Sequence, residues 1–150
     1  GGIGMPSVRG CNLPDDLLYD VDNHIWFTEM GDGTVKLGMT TVATAMAGKL
    51  VAYTPKKVGR SVRAGKSCGT LESGKWVGPA KSAAGGEVVA VNDDLVADPS
   101  IANDDPYDKG WLAILKPDDW DSVKGSLVAG GEVAGPYEAK MDAEGFGGCA

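Results

Sequence analysis

One short segment, Glu72-Ser73-Gly74-Lys75, constrains the fold of this chain more than any other. It is followed after a spacer by residues 86–92, where a glycine opens a run of apolar residues typical of a β-strand. Glycine readily adopts the positive φ that a tight hairpin turn often needs. The segment therefore predicts a β-hairpin with Gly74 and Lys75 at its tip and the lysine side chain in solvent.

Glycine is abundant throughout, with 23 among 150 residues, which favours a turn-rich, mainly β structure over a helical one. Apolar runs bounded by turn residues predict the strands. These are residues 24–30, 34–39, 49–54, 67–73, 86–92 and 110–115. Residues 48–53 also resemble residues 86–91, a weak internal repeat that is consistent with two similar β units over one core.

Short helices are predicted in the N-terminal, middle and C-terminal parts of the chain. Residues 13–19 begin with proline and acidic residues, which suit the first turn of a helix. Residues 41–47 have Thr40 as N-cap and Gly48 as the stop. From Pro117 the pattern becomes helical again, and it predicts helices within about residues 117–143.

The length of the chain suits one domain with a core of its own. We expect this domain to cover residues 5–150, with a mobile tail at 144–150 and a remnant of cloning at 1–4. The formal net charge is −7, which argues against a nucleic-acid partner because phosphate binding needs a basic surface. A membrane partner is not expected either, since no apolar run approaches the length of a membrane span.

The three cysteines, Cys11, Cys68 and Cys149, are widely separated and odd in number. They predict unpaired thiols in a reducing cytoplasm, with Cys68 buried in a strand and Cys149 a thiol free to exchange in the tail. One histidine, His24, and no paired cysteine spacing predict that there is no metal site. We expect His24 to pack or to form hydrogen bonds, and no set of residues predicts an enzyme active site.

A series of motifs runs at fixed spacing from Pro14 to about Leu112. The matching residues are Tyr19, His24, Trp26, Thr34-Val35, Gly38-Met39-Thr40, Ala43, Pro55, Val58-Gly59, Val62, Gly65, Gly69, Glu72-Ser73, Gly86-Glu87-Val88-Val89, Asn92, Asn103, Asp105-Pro106-Tyr107 and Gly110-Trp111-Leu112. In these residues the chain resembles the H proteins of the glycine cleavage system. The resemblance implies a barrel-sandwich hybrid, the lipoyl- or biotinyl-type β-sandwich of two antiparallel sheets. It also places Lys75 on the family's lipoylated lysine.

The same resemblance implies a covalent lipoate on Lys75, attached by a lipoate ligase or other lipoyl assembly enzymes. Glu72, Ser73, Gly74 and Trp76 would form the hairpin that the ligase and the partner recognise. A tethered dithiolane acts as a swinging arm, because tethering raises its effective concentration at a docked enzyme. A biotin carrier would need a Met-Lys-Met tip, which is absent. An unmodified binding module, with Lys75 as an ordinary surface lysine, is a further alternative.

Several residues around the hairpin depart from the usual glycine cleavage pattern. The replacements are Gly74 for valine, Trp76 for alanine, Gly78-Pro79 for Ser-Asp, Ala83 for the proline of a Ser-Pro pair, Lys49 for aspartate and Lys56-Lys57 within Pro-Glu-Val-Gly, and Lys81 adds a charge. Changed charges on a docking face disfavour one partner and favour another. In these departures the chain resembles the H-protein-like lipoate-binding proteins that serve sulfur oxidation.

Two carrier functions follow from these resemblances. The favoured one carries sulfur intermediates in the cytoplasm with a heterodisulfide reductase-like complex. The alternative is the H subunit of glycine cleavage, which carries an aminomethyl group between glycine decarboxylase, aminomethyltransferase and dihydrolipoyl dehydrogenase. In both cases the carrier is expected to be a monomer and not itself an enzyme.

Three further residues have predicted roles. Trp76 is either a platform or interface anchor beside the arm or a residue partly buried against the sheet. Asn103 and its neighbours are expected to fix a loop through Asx-type bonds, and Trp111 is expected in the core.

Overall fold

The computed structural model describes residues 6–149, in which twelve β-strands and five α-helices form. In chain order these elements are β1 (Ser7–Val8), β2 (Cys11–Asn12), β3 (Leu18–Asp20), β4 (Ile25–Glu29), β5 (Val35–Met39), α1 (Thr41–Ala47), β6 (Leu50–Pro55), β7 (Ser61–Val62), β8 (Lys66–Ser73), β9 (Val77–Ser82), β10 (Gly86–Val91), α2 (Asp93–Ala97), α3 (Ile101–Asp104), β11 (Ala113–Pro117), α4 (Trp120–Ser126), β12 (Val128–Ala129) and α5 (Ala134–Glu144). The expected cloning remnant at residues 1–4 lies outside the described residues.

The strands form two main antiparallel sheets. One has seven strands in the order β12-β3-β4-β5-β11-β10-β7, and the other has three in the order β6-β8-β9. A separate hairpin joins β1 to β2. The two resembling segments of the weak repeat, β6 and β10, lie in different sheets. The prediction of a mainly β sandwich of two antiparallel sheets is confirmed.

The larger hydrophobic core contains side chains from both sheets. Phe27 and Leu37 come from the seven-stranded sheet, Leu71 comes from the three-stranded sheet, and all three are at most 1% exposed. A second cluster packs α5 against the N-terminal hairpin and the start of the first sheet, with Tyr137 and Trp26 fully buried. The N-terminal hairpin and the C-terminal helix α5 therefore pack together against one end of the seven-stranded sheet.

Several predicted elements are confirmed at or near their expected boundaries. Helix α1 begins after Thr40, whose side chain accepts a hydrogen bond from the Ala43 amide, and it ends at Gly48 with φ of 82°. The hairpin of β4 and β5 and the C-terminal helices α4 and α5 also form where the pattern indicates.

The predicted N-terminal helical turn is wrong. Residues 15–16 form a turn, and Leu18–Asp20 continue as strand β3. Tyr19 is fully buried, and its hydroxyl donates to the Pro14 carbonyl at 2.6 Å. Burial of this ring and pairing of β3 with β4 outweigh the local preference for a helix start.

The expected set of unpaired cysteines is also wrong. Cys11 and Cys149 form a disulfide with a Cα–Cα distance of 5.0 Å, across 138 residues of sequence. The Cys149 amide also donates to the Arg9 carbonyl at 2.9 Å, so the part of the predicted mobile tail that the structure describes is anchored. The prediction of a reducing cytoplasm rested on unpaired thiols, and the disulfide removes that reason. Cys68 is buried as expected, and burial raises the pKa of its thiol to about 12.

Within residues 6–149, every helix is too short or too polar to span a lipid bilayer.

Candidate functional site

Lys75 lies at the tip of the β8–β9 hairpin. The last paired residues are Glu72 and Val77, and the Ser73 amide donates to the Trp76 carbonyl at 2.8 Å to close the turn. Lys75 is exposed, and it takes part in none of the ion pairs found within residues 6–149. The structure therefore presents its amine to solvent at the expected position.

The reason that we expected for this turn is wrong. Gly74 is not among the glycines with positive φ, and a Cβ added to it would meet no atom within 4 Å. The turn thus needs no glycine at this position. Lys75 is presented by strand pairing on both sides of the tip.

Ser73 anchors the tip to the body of the protein. Its side chain is buried, and its hydroxyl donates to the carbonyl of Ala47, the last residue of α1, at 2.6 Å. The same oxygen accepts the Lys75 amide at 3.3 Å. One side chain thus fixes the hairpin to the helix and orients the backbone of the lysine.

Gly48 forms a surface under the lysine side chain. A Cβ added to Gly48 would lie 3.1 Å from Cε of Lys75, and the φ of +82° already disfavours any other residue there. The backbone on both sides is held by Asn103, whose side-chain amide donates to the Gly48 carbonyl and accepts the Leu50 amide, both at 2.9 Å. Asn103 was expected to make local Asx-type bonds, and its partners are instead more than 50 residues away.

A cleft of about 240 Å³ opens beside the hairpin, between α1, the strands β4 and β5, and the inner side of β8 and β9. Its lining is mostly apolar and includes Met39, Met46, Leu71 and Trp76. Trp76 is 38% exposed. Its ring therefore forms one wall of the cleft while it stays in contact with solvent.

His24 stands at the rim of this cleft as a hydrogen-bonding residue. Its Nδ1 lies 3.2 Å from the Tyr137 hydroxyl, and its Nε2 lies 3.1 Å from both carboxylate oxygens of Glu144. The ring stacks on Tyr137 with centroids 5.7 Å apart. His24 thus ties α5 to the start of β4, which confirms its expected role.

The sequence did not single out Gly48, Ala47 or Met46 as parts of the site. Gly48 carried a signal, since it ends a predicted helix and directly precedes a predicted strand. Within residues 6–149 no group of three or more His, Cys, Asp or Glu side chains could hold a metal ion. The site therefore consists of an exposed amine on an anchored hairpin beside an apolar cleft.

Comparison with known proteins agrees with this arrangement. The glycine cleavage H-protein family matches residues 17–140. Glycine cleavage system H protein 5 of Aquifex aeolicus is 50% identical over 134 residues, which cover 87% of this chain and 90% of that protein. Probable glycine cleavage system H protein 2 of Sulfurisphaera tokodaii is 40% identical over 128 residues, 84% of this chain and 86% of that protein.

A solved structure shares the fold. The crystal structure of a glycine cleavage system H protein from Mycobacterium marinum superposes with a TM-score of 0.72 at 37% identity, covering 82% of this chain and 97% of that one. The family match extends over most of the chain and includes both the hairpin and the strands that support it. On these grounds the chain belongs to the glycine cleavage H-protein family.

Proposed function

We propose that this protein is a lipoyl carrier in which lipoate is joined to Nζ of Lys75 as an amide. The exposed, unpaired amine on an anchored hairpin tip is the observation that carries the proposal. Acylation needs a lysine that can enter a ligase pocket without breaking an ion pair. Lys75 meets this requirement, and its family resemblance supports the same position.

The physical role of the protein is then to hold an arm and not to catalyse. An acylated Lys75 loses its positive charge and carries a dithiolane on a long flexible stem. The anchored tip keeps the base of the arm fixed while the dithiolane reaches the active site of a docked enzyme at high effective concentration. We propose Glu72, Gly74 and Trp76 as the surface that a lipoate ligase and the partner enzymes recognise. Ser73, expected in the same surface, is buried and would hold that surface in place.

Intact mass after co-expression with a lipoate ligase tests the attachment. We expect octanoyl or lipoyl mass on the wild-type protein and none on K75R. The matched control is K81R, because Lys81 is exposed on β9 of the same hairpin and should leave modification unchanged. Wild-type protein that stays bare in cells able to acylate it would leave the unmodified binding module as the better account.

Glycine cleavage is the reaction that the family and the names of the relatives favour. In that reaction the arm would carry an aminomethyl group between glycine decarboxylase and aminomethyltransferase, and dihydrolipoyl dehydrogenase would reoxidise the dithiol. Incubation of the lipoylated protein with glycine and glycine decarboxylase tests this directly. Aminomethyl mass on the arm is the expected result, and its absence would contradict a glycine cleavage role.

Sulfur oxidation with a heterodisulfide reductase-like complex is the second candidate. The departures near Lys75 favour it, and the structure adds that Trp76 gives the adjoining cleft an aromatic wall. This wall suits the platform role proposed for Trp76. A protein that accepts no aminomethyl group, yet gains sulfur mass on the arm when incubated with the complex and a reduced sulfur donor, would favour this candidate.

The carrier is proposed to work as a monomer, in one domain covering residues 5–150. Light scattering tests the monomer, with a mass near 15.4 kDa as the expected value.

A further inference from the structure

Positive charge is concentrated in the part of the chain that carries the hairpin. Residues 49–81 hold eight of the 14 lysines and arginines but one of the 21 acidic residues, Glu72. The eight are Lys49, Lys56, Lys57, Arg60, Arg63, Lys66, Lys75 and Lys81. The rest of the chain is therefore more negative than the net −7 of the whole chain. Positive and negative charge are strongly separated along the sequence.

These eight cations are available to a partner. All are exposed, and the ion pairs found within residues 6–149 involve Arg9, His24, Lys124 and Lys140 instead. Lysines and arginines that neutralise no neighbouring acid keep their full effect on the surrounding potential.

The three-stranded sheet sets the geometry of this surface. Side chains alternate between its two faces, and Leu71 and Ala80 point into the core. On the opposite face the exposed positions include Thr70 on β8 and Lys81 near the end of β9. Lys49 is exposed just before β6, and Lys66 is exposed at the start of β8, at the edge of the sheet away from the hairpin tip. We call this outward side of β6, β8 and β9, together with the exposed lysines at its two ends, the basic face.

The end of the basic face next to Lys75 is partly apolar. Val51 is 57% exposed and Val77 is 62% exposed, although both are large apolar side chains on strands next to β8. Glu72 lies between these two strands, paired with Ala52 on one side and Val77 on the other. Exposed apolar side chains beside charged ones are typical of a protein-binding surface.

We propose that the basic face docks onto an acidic protein surface beside the active-site entrance of the enzyme that uses the Lys75 arm. This inference rests on the proposed function, because the face extends from the base of that arm. A protein partner suits the face better than a nucleic acid does. Exposed valines gain little from phosphates, and Glu72 between them would repel phosphates.

The charge distribution defines how docking should respond to salt. Charges on the rim of an interface act mainly on the association rate, by steering the partners as they approach. Salt screens this attraction, with a Debye length of about 10 Å at 0.1 M. We expect the association rate constant to fall about tenfold between 20 and 300 mM NaCl, while the dissociation rate constant changes much less.

Kinetic binding measurements test the proposal with three purified probes: glycine decarboxylase, aminomethyltransferase and the heterodisulfide reductase-like complex of the same organism. The unmodified full-length protein is the analyte. We expect K66E/K81E to lower association with at least one probe about tenfold and to flatten its salt dependence. K109E/K116E is the matched control, because it reverses two exposed lysines away from the basic face and should change association much less.

Three outcomes would overturn the proposal. The first is no binding to any of the three probes, and the second is binding that responds neither to salt nor to K66E/K81E. The third is binding to a 20-base-pair DNA duplex that is as tight as binding to the enzymes and is weakened as much by K66E/K81E. The unmodified protein keeps this test separate from the carrier function. If the protein docks in a salt-dependent way but Lys75 is never acylated, the carrier function is wrong and the docking role of the basic face stands. If Lys75 is acylated but the protein does not dock in this way, the carrier function stands and the docking role is wrong.

Discussion

Trp76 lies across Gly78 so closely that no other residue fits at position 78 without a shift. A Cβ added to Gly78 would come within 2.8 Å of Cε2 of the indole, well inside the 3.5 to 4.0 Å at which carbon atoms normally pack. Both positions depart from the family pattern, which has alanine and serine there. The structure thus connects two replacements that the sequence presents separately: the small residue makes room for the large one. Trp26 lies across Gly38 in the same way.

Substitution of Gly78 by serine should move the indole away from the hairpin. Trp76 is at the surface, so the ring can turn outward, and we expect a stability loss of about 1 kcal/mol or less. The ring should become more accessible, with stronger iodide quenching of tryptophan fluorescence. G74S is the matched control, since a Cβ at Gly74 meets no atom within 4 Å. The quenching change should disappear in a W76F background, and its persistence there would contradict this packing.

Reduction of the Cys11–Cys149 disulfide should destabilise the protein by about 2 to 5 kcal/mol, because the bond restricts a long loop of the unfolded chain. Urea unfolding with and without dithiothreitol measures the loss. Hydrogen exchange should rise at Cys149, whose amide donates to Arg9. C11S/C149S should be insensitive to the reductant, and C68A should keep the wild-type sensitivity. Equal stability of the oxidised and reduced protein would show that the bond contributes nothing.

Replacement of Ser73 by alanine should loosen the hairpin tip. The substitution removes the hydrogen bond to Ala47 and leaves that carbonyl without this partner, which should lower stability by about 1 to 2 kcal/mol. Amide exchange of Lys75, which donates to the same hydroxyl, should become faster. S61A is the control at an exposed serine. Unchanged exchange at Lys75 in S73A would argue that strand pairing alone holds the tip.

Stability should fall in acid partly through Glu144. Burial raises the pKa of this carboxyl, but hydrogen bonds from Lys140 and His24 outweigh it and hold the pKa below the usual 4.5. A lowered pKa in the folded state stabilises the protein above pH 4.5, and this contribution is lost as the pH falls through the folded-state value. E144Q should therefore cost below about 1 kcal/mol at pH 6, and this cost should shrink as the pH falls below 4.5.

Urea titrations of wild type and E144Q between pH 2 and 7 measure this difference. E132Q is the control, because Glu132 is exposed and makes no ion pair within the described residues. A gap between wild type and E144Q that stays constant down to pH 2 would show that the carboxylate charge is not the cause.

Local signals predicted much of the fold. Thr40 and Gly48 defined both ends of α1, because an N-cap hydroxyl and a glycine with positive φ satisfy groups only a few residues away. Strands β4, β5 and β8 were found because their residues favour a half-buried pleated surface. The position of Lys75 followed from the predicted strand before it and from the motifs around it. The strand that completes the hairpin is β9 and not the predicted strand at residues 86–92, and the reason given for Gly74 was wrong.

Other features depend on neighbours that are distant in sequence. Tyr19 forms a strand because its ring is buried, and Asn103 supports the lysine by bonds to Gly48 and Leu50. Helices α2 and α3 and strand β9 were not predicted, because each is short and has a weak pattern of its own.

By itself, the sequence determined the mainly β class, the lysine just after a strand and the excess of positive charge around it, because each depends on residue type and near neighbours. The tertiary structure alone decided that Cys11 meets Cys149, that Ser73 is anchored on α1, and that Trp76 covers Gly78 beside a cleft. Such contacts depend on how the two sheets and the chain ends pack, and packing is set by the whole core and not by any local segment.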